Sequence, residues 1–299
     1  MELEPTPILE PGPAGVWDAV DVLNPAAIRV GEGFALLYSG FDGEVWRTGL
    51  ARSEDGWTWR KSRANPLLEP DSDSWEGAYM AANGALLRQK DEFLYWYQAG
   101  PRNATRIGLA RSHDLERWRK EPSPVFGPGA PGTWDEAAVG DPYVIRSGEF
   151  LYLFYLGQNR FGVQRLGLAR SREGVVWQRF HRNPLLEPGG AGAFDERGLG
   201  EPAVFCAGGA WRMLYVGRDA SERRRLGWAE TADGLDWRKT SEDVIAGEQP
   251  WNEAAVCDPD VSPAGDHLLL WFGGGSSPSP DENLAGRIGR GRIVSALGE

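Results

Sequence analysis

The chain has 299 residues, with 32 Lys and Arg against 43 Asp and Glu and a net charge of -11, and no basic run forms a stripe that could follow a phosphate backbone, which argues against nucleic acid as a partner. Its 40 Gly, 21 Pro and 14 Trp describe short strands, tight turns and large aromatic plates, and long helical periodicity is missing. No apolar stretch is long enough to cross a membrane, and the opening Met1-Glu-Leu-Glu-Pro-Thr-Pro lacks a basic-apolar leader pattern, so a cytoplasmic location is expected.

Along the chain one unit returns five times. Its copies start at Trp17-Asp18, Trp75-Glu76, Trp134-Asp135, Phe194-Asp195 and Trp251-Asn252, spaced by 58, 59, 60 and 57 residues. After this aromatic-acidic corner come a short apolar run, a turn and a second apolar-aromatic run ending near Gly. A third run follows, such as Thr48-Gly-Leu-Ala-Arg-Ser or Ile107-Gly-Leu-Ala-Arg-Ser. A fourth begins near Trp59, Trp118, Trp177 and Trp237 and exits through segments such as Asn65-Pro-Leu-Leu-Glu-Pro. Four short strands per unit make a propeller blade. The repeat fills residues 7 to 294 without a linker. The expected fold is therefore all-β, a single five-bladed β-propeller domain over residues 1–299 with mostly four-stranded antiparallel blades around a central pocket.

The two ends also fit the repeat. Pro7-Ile-Leu-Glu-Pro matches a blade exit and Arg287 to Ile293 matches a third strand, so the fifth blade lacks its outer strand unless residues before Pro7 supply it. Cys206 and Cys257 lie in apolar strand contexts without zinc-like spacing and are expected to be buried free thiols. No metal and no cofactor is implied.

Alignment on the corner places Asn24, Asn83, Asp141, Glu201 and Asp258 at one height around the hub. Pro25, Pro142, Pro202 and Pro259 follow four of them and Gly84 the other, a pattern read as the first residue of each innermost strand. What every unit shares serves the fold; what varies in fixed surroundings marks a site. Asp141, Glu201 and Asp258 fall in consecutive units, where like charge and partial desolvation should raise at least one carboxyl pKa and make a proton donor near neutral pH.

The same test assigns the corner acids to structure, together with the repeated Arg47, Arg106, Arg165, Arg225 and Arg287, which are expected to pair with them. Arg102, Asn103, Asn159, Arg160, Arg218 and Asp219 occupy variable loops on the ring's face and are candidate substrate contacts. Trp46, Tyr97, Tyr155 and Phe161 are candidate sugar-stacking aromatics, Tyr97 and Tyr155 being equally readable as core. None of the three histidines has a claim to catalysis, and Ser53-Glu-Asp-Gly-Trp-Thr-Trp reads as a turn with a core Trp.

Blade number, the Asp-Pro and Glu-Pro ring motifs and the Tyr-x-Gly strand ends together resemble the five-bladed propeller glycosidases, the arabinanase, invertase and levansucrase superfamily with families 43, 32 and 130. The resemblance spans the whole chain. It implies an Asp of blade one as base or nucleophile, an Asp of blade three that orients and tunes, and a Glu of blade four that protonates the leaving oxygen. Gly140-Asp141-Pro142 and Gly200-Glu201-Pro202 match the last two. Leu23-Asn24-Pro25 departs from the first, because an amide can be neither base nor glycosyl nucleophile. Asp21 or Asp258 is left to take that role. The implied function is cleavage of a small glycoside or oligosaccharide, with Glu201 as general acid, Asp141 as positioning carboxylate, Asp21 or Asp258 as base, and Asn24, Asn83, Trp46, Arg102, Arg160 and Arg218 around the substrate. Two alternatives stand beside it: a glycoside phosphorylase, since Asn24-Pro-Ala-Ala-Ile resembles the opening blade of β-mannoside phosphorylases although Ala81-Ala-Asn-Gly replaces their acidic second-blade motif; and a non-hydrolytic propeller that binds a sugar or other small metabolite.

Overall fold

The computed structural model describes residues 1–207, 209–241, 244–280 and 282–294. Among these every regular element is a β-strand. After β1 (Glu2–Leu3), unit one contains β2 (Asp21–Val30), β3 (Gly33–Phe41), β4 (Trp46–Ser53) and β5 (Arg60–Lys61). Unit two contains β6 (Ala81–Gln89), β7 (Glu92–Ala99), β8 (Arg106–Ser112) and β9 (Arg119–Lys120). Unit three contains β10 (Ala138–Ser147), β11 (Phe150–Gln158), β12 (Gln164–Ser171) and β13 (Gln178–Arg179), and unit four β14 (Gly198–Ala207), β15 (Ala210–Arg218), β16 (Arg224–Thr231) and β17 (Arg238–Lys239). Unit five has β18 (Ala255–Ala264), β19 (His267–Gly275) and β20 (Arg287–Ile293). Within each unit successive strands pair antiparallel, and the fourth is only two residues long. In unit five the N-terminal β1 supplies the outer strand, pairing Glu2 with Arg292 and Leu3 with Gly291.

Main-chain hydrogen bonds link the units into a cycle. The residue that opens each third strand, or just precedes it, meets the start of the next unit's first strand: Trp46 N–H to Tyr79 O, Val139 N–H to Thr105 O, Gln164 beside Gly198, and Arg224 N–H to Ala254 O. Unit five returns to unit one through Val22 N–H to Gly286 O at 3.2 Å. Between units the outer tryptophans pack edge-on against the neighbouring sheet, Trp59 on Trp271 at 5.4 Å and Trp177 on Trp96 at 6.2 Å. Edge-to-face contacts of this kind add to the area they bury.

The corner explains why the motif repeats. The indole of Trp17 lies over Gly40 and Gly49, where a Cβ would come within 2.3 and 2.5 Å of it, so only glycine leaves room for the plate. Beside it, the buried Asp18 accepts from Tyr38 Oη at 2.9 Å and from Lys61 Nζ at 2.6 Å. Glu76 is held in the same way by Tyr97 and Lys120, Asp135 by Tyr155 and Arg179, and Asp195 by Tyr215 and Lys239. Each is a buried carboxylate with a phenol and a cation, a set in which removing one member strands the others. Unit five changes the set together: Asn252 replaces the acid, Phe272 the tyrosine, and the short β1 provides no cation.

These triads correct one expectation. The cations on the corner acids come from the fourth strand, whereas Arg47 pairs with Asp42 and Glu69, Arg165 with Glu187, Arg225 with Asp219 and Arg287 with Glu10. Tyr97 and Tyr155 are fully buried triad members, so they belong to the core. Both cysteines are free, but Cys206 is exposed, because this part of β14 borders the wide channel at the hub. Among the described residues no helix is long and apolar enough to cross a membrane.

Candidate functional site

The five ring residues do not begin their strands. Each is the third or fourth residue of its strand, where the pairing register shifts, between Leu23 and Ala26, Ala82 and Gly84, Gly140 and Tyr143, Gly200 and Ala203, and Cys257 and Asp260. At this bulge Asn24, Asn83, Asp141, Glu201 and Asp258 all have positive φ, from 45 to 52°. Asn and Asp tolerate that conformation through their short polar side chains, and Glu201 has no such excuse. The proline that follows four of them occupies a bulge, where no ladder hydrogen bond is required of it. Five strained residues at one height, all turned to the hub, are a costly arrangement of the kind found at functional sites.

The ring is stitched together by its own side chains. Asp258 N–H donates to Glu201 Oε2 at 2.8 Å, Asn24 N–H to Asp258 Oδ2 at 3.2 Å, and Glu201 N–H to the Asp141 carboxylate. Asp141 N–H donates to Gln98 Oε1 at 3.0 Å, and Asn83 exchanges hydrogen bonds with Ser39. Each acid therefore fixes the next unit's backbone while it lines a cavity, so the capping reading and the site reading describe the same atoms.

Two cavities meet at this waist. On the face of the second-to-third-strand loops lies a cup of about 140 Å³. Its floor is the ring, and its walls carry Trp46, Tyr79, Gln98, Arg102, Gln158, Gln164, Arg218 and Arg224. On the other face a wider channel of about 740 Å³ is lined by the strand residues beyond the ring, including Ala27, Leu87, Val144, Phe205 and Trp211. In the cup the ring acids meet three guanidiniums, Arg102, Arg218 and Arg224, and the amides of Gln98, Gln158 and Gln164.

Charge in the cup is set by burial. Asp141 is raised from 3.8 to about 7, by desolvation first and by the Glu201 charge second, with Arg224 and the hydrogen bonds from Asn83 and Glu201 opposing. Asp258 is raised well above the ordinary range, again by desolvation and then by Glu201, to whose carboxyl it is hydrogen-bonded. Arg224 is buried in β16 with Nη1 3.8 Å from Glu201 Oε1. Burial alone would lower its pKa, but Glu201, Cys257 and Asp258 hold it above the ordinary value and therefore charged. The raised Asp258 carboxyl thus favours its protonated form beside a fixed cation. Glu201, Cys257 and Asp258 bring their ligating atoms within 4.8 Å of one another, and the Arg224 guanidinium already offers that cluster a positive charge.

Of the sequence-derived candidates, Asp141, Glu201, Asp258, Asn24, Asn83, Trp46, Arg102 and Arg218 line the cup. Trp46 is buried and stacked on Phe41 at 4.7 Å, so it forms wall. Asp21 does not line the cup. It is fully buried and accepts the N–H groups of Asn283 and Gly286, each at 2.7 Å, because the i, i+3 step from Asn24 spans the bulge and turns it away from the hub. Arg160 also stands apart: it is exposed, 3.8 Å from Glu136 and stacked over the exposed Phe161, since its loop turns outward around Asn159. Asp219 likewise organises its own turn and pairs with Arg225.

Arg224, Gln98 and Gln164 were missed. Their signal was present, because the column before the repeated Arg reads Trp46, Thr105, Gln164, Arg224, Gly286, and the column after the strand-two tyrosine reads Ser39, Gln98, Leu156, Val216, Gly273. Both vary within fixed surroundings, as the ring does.

No family model matches the sequence. Two curated relatives, both uncharacterized proteins of Mycobacterium tuberculosis, are 28% identical over 169 residues, 50% of this chain and 52% of theirs, so the match spans about half the length of each. Among solved structures the chain resembles one from the family 130 mannoside phosphorylases, a family that contains glycoside hydrolases targeting β-1,2-mannosidic linkages in Candida mannan (TM-score 0.76, 17% identity, 97% of this chain and 92% of that one). It also resembles a family 117 glycoside hydrolase of Zobellia galactanivorans (TM-score 0.73, 18% identity, 100% and 92%) and a thermostable family 43 glycoside hydrolase (TM-score 0.69, 14% identity, 95% and 91%). At these identities the likeness establishes the fold: the chain shares the architecture of the β-propeller glycoside hydrolases.

Proposed function

We propose that this protein is a single five-bladed propeller that cleaves the glycosidic bond of a small carbohydrate held in the cup. The observation that carries the reading is the convergence of Asp141, Glu201 and Asp258 on the floor of a cavity walled by amides and guanidiniums. Sugar hydroxyls need such donors and acceptors, and the leaving oxygen needs a proton. The Glu201–Asp258 pair supplies it, and Asp141, directly beside Glu201, tunes that pair through its own charge. The oxygens of Glu201 and Asp258 are within 4.8 Å, closer than the roughly 6.5–9.5 Å that separates an opposed acid and base with water between them. Asp258 is therefore read as the partner of the acid rather than as the opposed base, and Asp21, spent on the N–H groups of Asn283 and Gly286 outside the cup, is dropped from the base role as well.

A second reading is favoured by the same asymmetry. All the ring acids lie in units three to five, while units one and two contribute the amides Asn24 and Asn83. A nucleophile arriving from that side meets no carboxylate. Phosphate, which attacks without a protein base, suits this geometry and could be drawn by Arg102, Arg218 and Arg224.

A panel of aryl furanosides and pyranosides, assayed with and without inorganic phosphate, tests both. Release of free sugar independent of phosphate supports hydrolysis, and phosphate-dependent release of a sugar phosphate supports phosphorolysis. Sugar binding by calorimetry with no turnover in either assay sinks the enzyme reading.

A further inference from the structure

The channel on the far side of the ring is the larger of the two hub cavities, and its volume of about 740 Å³ falls within the roughly 300–1,000 Å³ of small-molecule sites. It starts at the ring and in four of the five units runs to the fifth residue beyond it, five steps of about 3.3 Å, or about 16 Å. Its wall is formed by apolar side chains such as Ile28, Leu87, Val144, Phe205, Trp211 and Val261. Polar groups along it are satisfied by the protein itself. Asp260 of unit five accepts the Ala27 N–H of unit one at 2.7 Å and the Tyr143 hydroxyl of unit three, and Ser262 Oγ accepts from Trp271 Nε1 at 3.3 Å. What the bore offers an occupant is therefore apolar surface.

The two ends differ in charge. Acids stand at the ring end. At the mouth, the column five residues past the ring reads Arg29, Arg88, Arg146, Cys206, Pro263, so units one to three present exposed guanidiniums along one arc. Arg29 and Arg146 line the channel itself. Arg29 lies over the Phe34 ring at 4.9 Å and Arg88 over Phe93 at 5.6 Å, while Arg88 and Arg146 donate to uncharged oxygens, Lys90 O at 3.2 Å and Gln89 Oε1 at 2.7 Å. These contacts hold the side chains at the rim without neutralising them. Among the described residues none of the three arginines is in an ion pair, although the chain carries a net charge of -11.

We propose that this channel binds a single-chain amphiphile with an anionic head, a fatty carboxylate or a monoalkyl phosphate, whose tail fills the bore and whose head rests on Arg29 and Arg146 at the mouth. The acids at the ring end set the direction, because an anionic head inserted first would meet them. Guanidiniums suit carboxylate and phosphate alike, so the shared chemistry is the anion and not its central atom. Occupancy of the channel depends on no reaction in the cup.

The test needs no turnover. Cys206 lines the same mouth and is exposed, whereas Cys257 is buried, so a thiol reagent reports on occupancy. Octanoate, decanoate, dodecanoate and dodecyl phosphate are titrated by calorimetry in the monomeric range into the wild type and R29E/R146E, with dodecyltrimethylammonium as the cationic counterpart. One equivalent is expected to bind, with affinity rising about tenfold or more for every two methylenes, since each buried methylene is worth a factor of about 4. The double charge reversal is expected to weaken binding tenfold or more, and saturating dodecanoate to slow alkylation of Cys206 by N-ethylmaleimide by a similar factor. A preference for dodecanoate names a carboxylate ligand, and a preference for dodecyl phosphate a phosphate. No saturable binding to the wild type overturns the proposal, as does affinity independent of chain length, equal affinity in R29E/R146E, or tighter binding of the cationic amphiphile. Unchanged Cys206 alkylation at saturation overturns it too, and because that measurement uses the wild type it decides the question even if the variant does not fold.

Discussion

The main-chain N–H of Asp258 donates to Oε2 of Glu201 across 2.8 Å, so the residue proposed to protonate the substrate also holds the backbone of the next unit in its strained bulge. Truncating Glu201 would disturb both. Glu201→Gln keeps a carbonyl oxygen for the Asp258 amide and removes only the acid. Its hydrolysis of a natural glycoside is expected to fall by about 10²–10⁴, and that of an aryl glycoside with a good leaving group by much less, because less protonation is needed. Steady-state kinetics on the two substrates decides the matter: an equal loss on both removes Glu201 from the proton-donor role.

Burial makes stability depend on pH in a definite direction. Asp141 and Asp260 are each raised from 3.8 to about 7 chiefly by desolvation, Asp260 despite accepting the Ala27 N–H at 2.7 Å. The folded chain thus retains protons that the unfolded chain gives up above pH ~4, so this contribution is complete below that pH and is lost as pH rises through 7. Its size is on the order of a few kcal/mol per group. Thermal unfolding from pH 5 to 8 is expected to show a falling melting temperature, with a shallower fall in Asp260→Asn. An unchanged slope in that variant contradicts the assignment.

The corner triads offer an internal control. Glu76→Ala leaves Tyr97 and Lys120 facing an emptied, buried position and is expected to cost about 3–5 kcal/mol. Asn252→Ala removes an uncharged side chain whose oxygen accepts the Gln249 N–H, for about 1 kcal/mol. Chemical denaturation of the two variants should rank them in that order. The reverse order would mean that the triads do not lock the sheets.

Asp21→Asn weakens the two hydrogen bonds from Asn283 and Gly286 and is expected to lower stability by about 1–3 kcal/mol without moving either limb of the pH–rate profile. Loss of the acidic limb with stability intact would restore Asp21 as a catalytic base.

Much of this was legible in the sequence because the contacts that repeat are short in sequence. Trp17 over Gly40 and Gly49, Asp18 on Tyr38 and Lys61, and the turn carboxylate of Asp55 beneath the Trp57 and Thr58 amides all close within one unit, so each leaves its mark at every period. The fivefold spacing and the height of the ring follow from that. The missing outer strand of unit five was likewise visible, and β1 fills it.

What the amino-acid order determined alone was therefore the unit, its cycle and the column of residues that would face the hub. Which carboxylate of unit one or five reached the cup was settled only by the three-dimensional arrangement. Asp21 and Asp258 look alike as acids near a ring position, yet one is spent on amides 262 and 265 residues away and the other lies against Glu201. Arg224 and Glu282 were hidden for the same reason. Their partners lie on other strands and in other units, and the direction of a side chain at a bulge, like the path of a loop, is fixed by what surrounds it rather than by its neighbours in the chain.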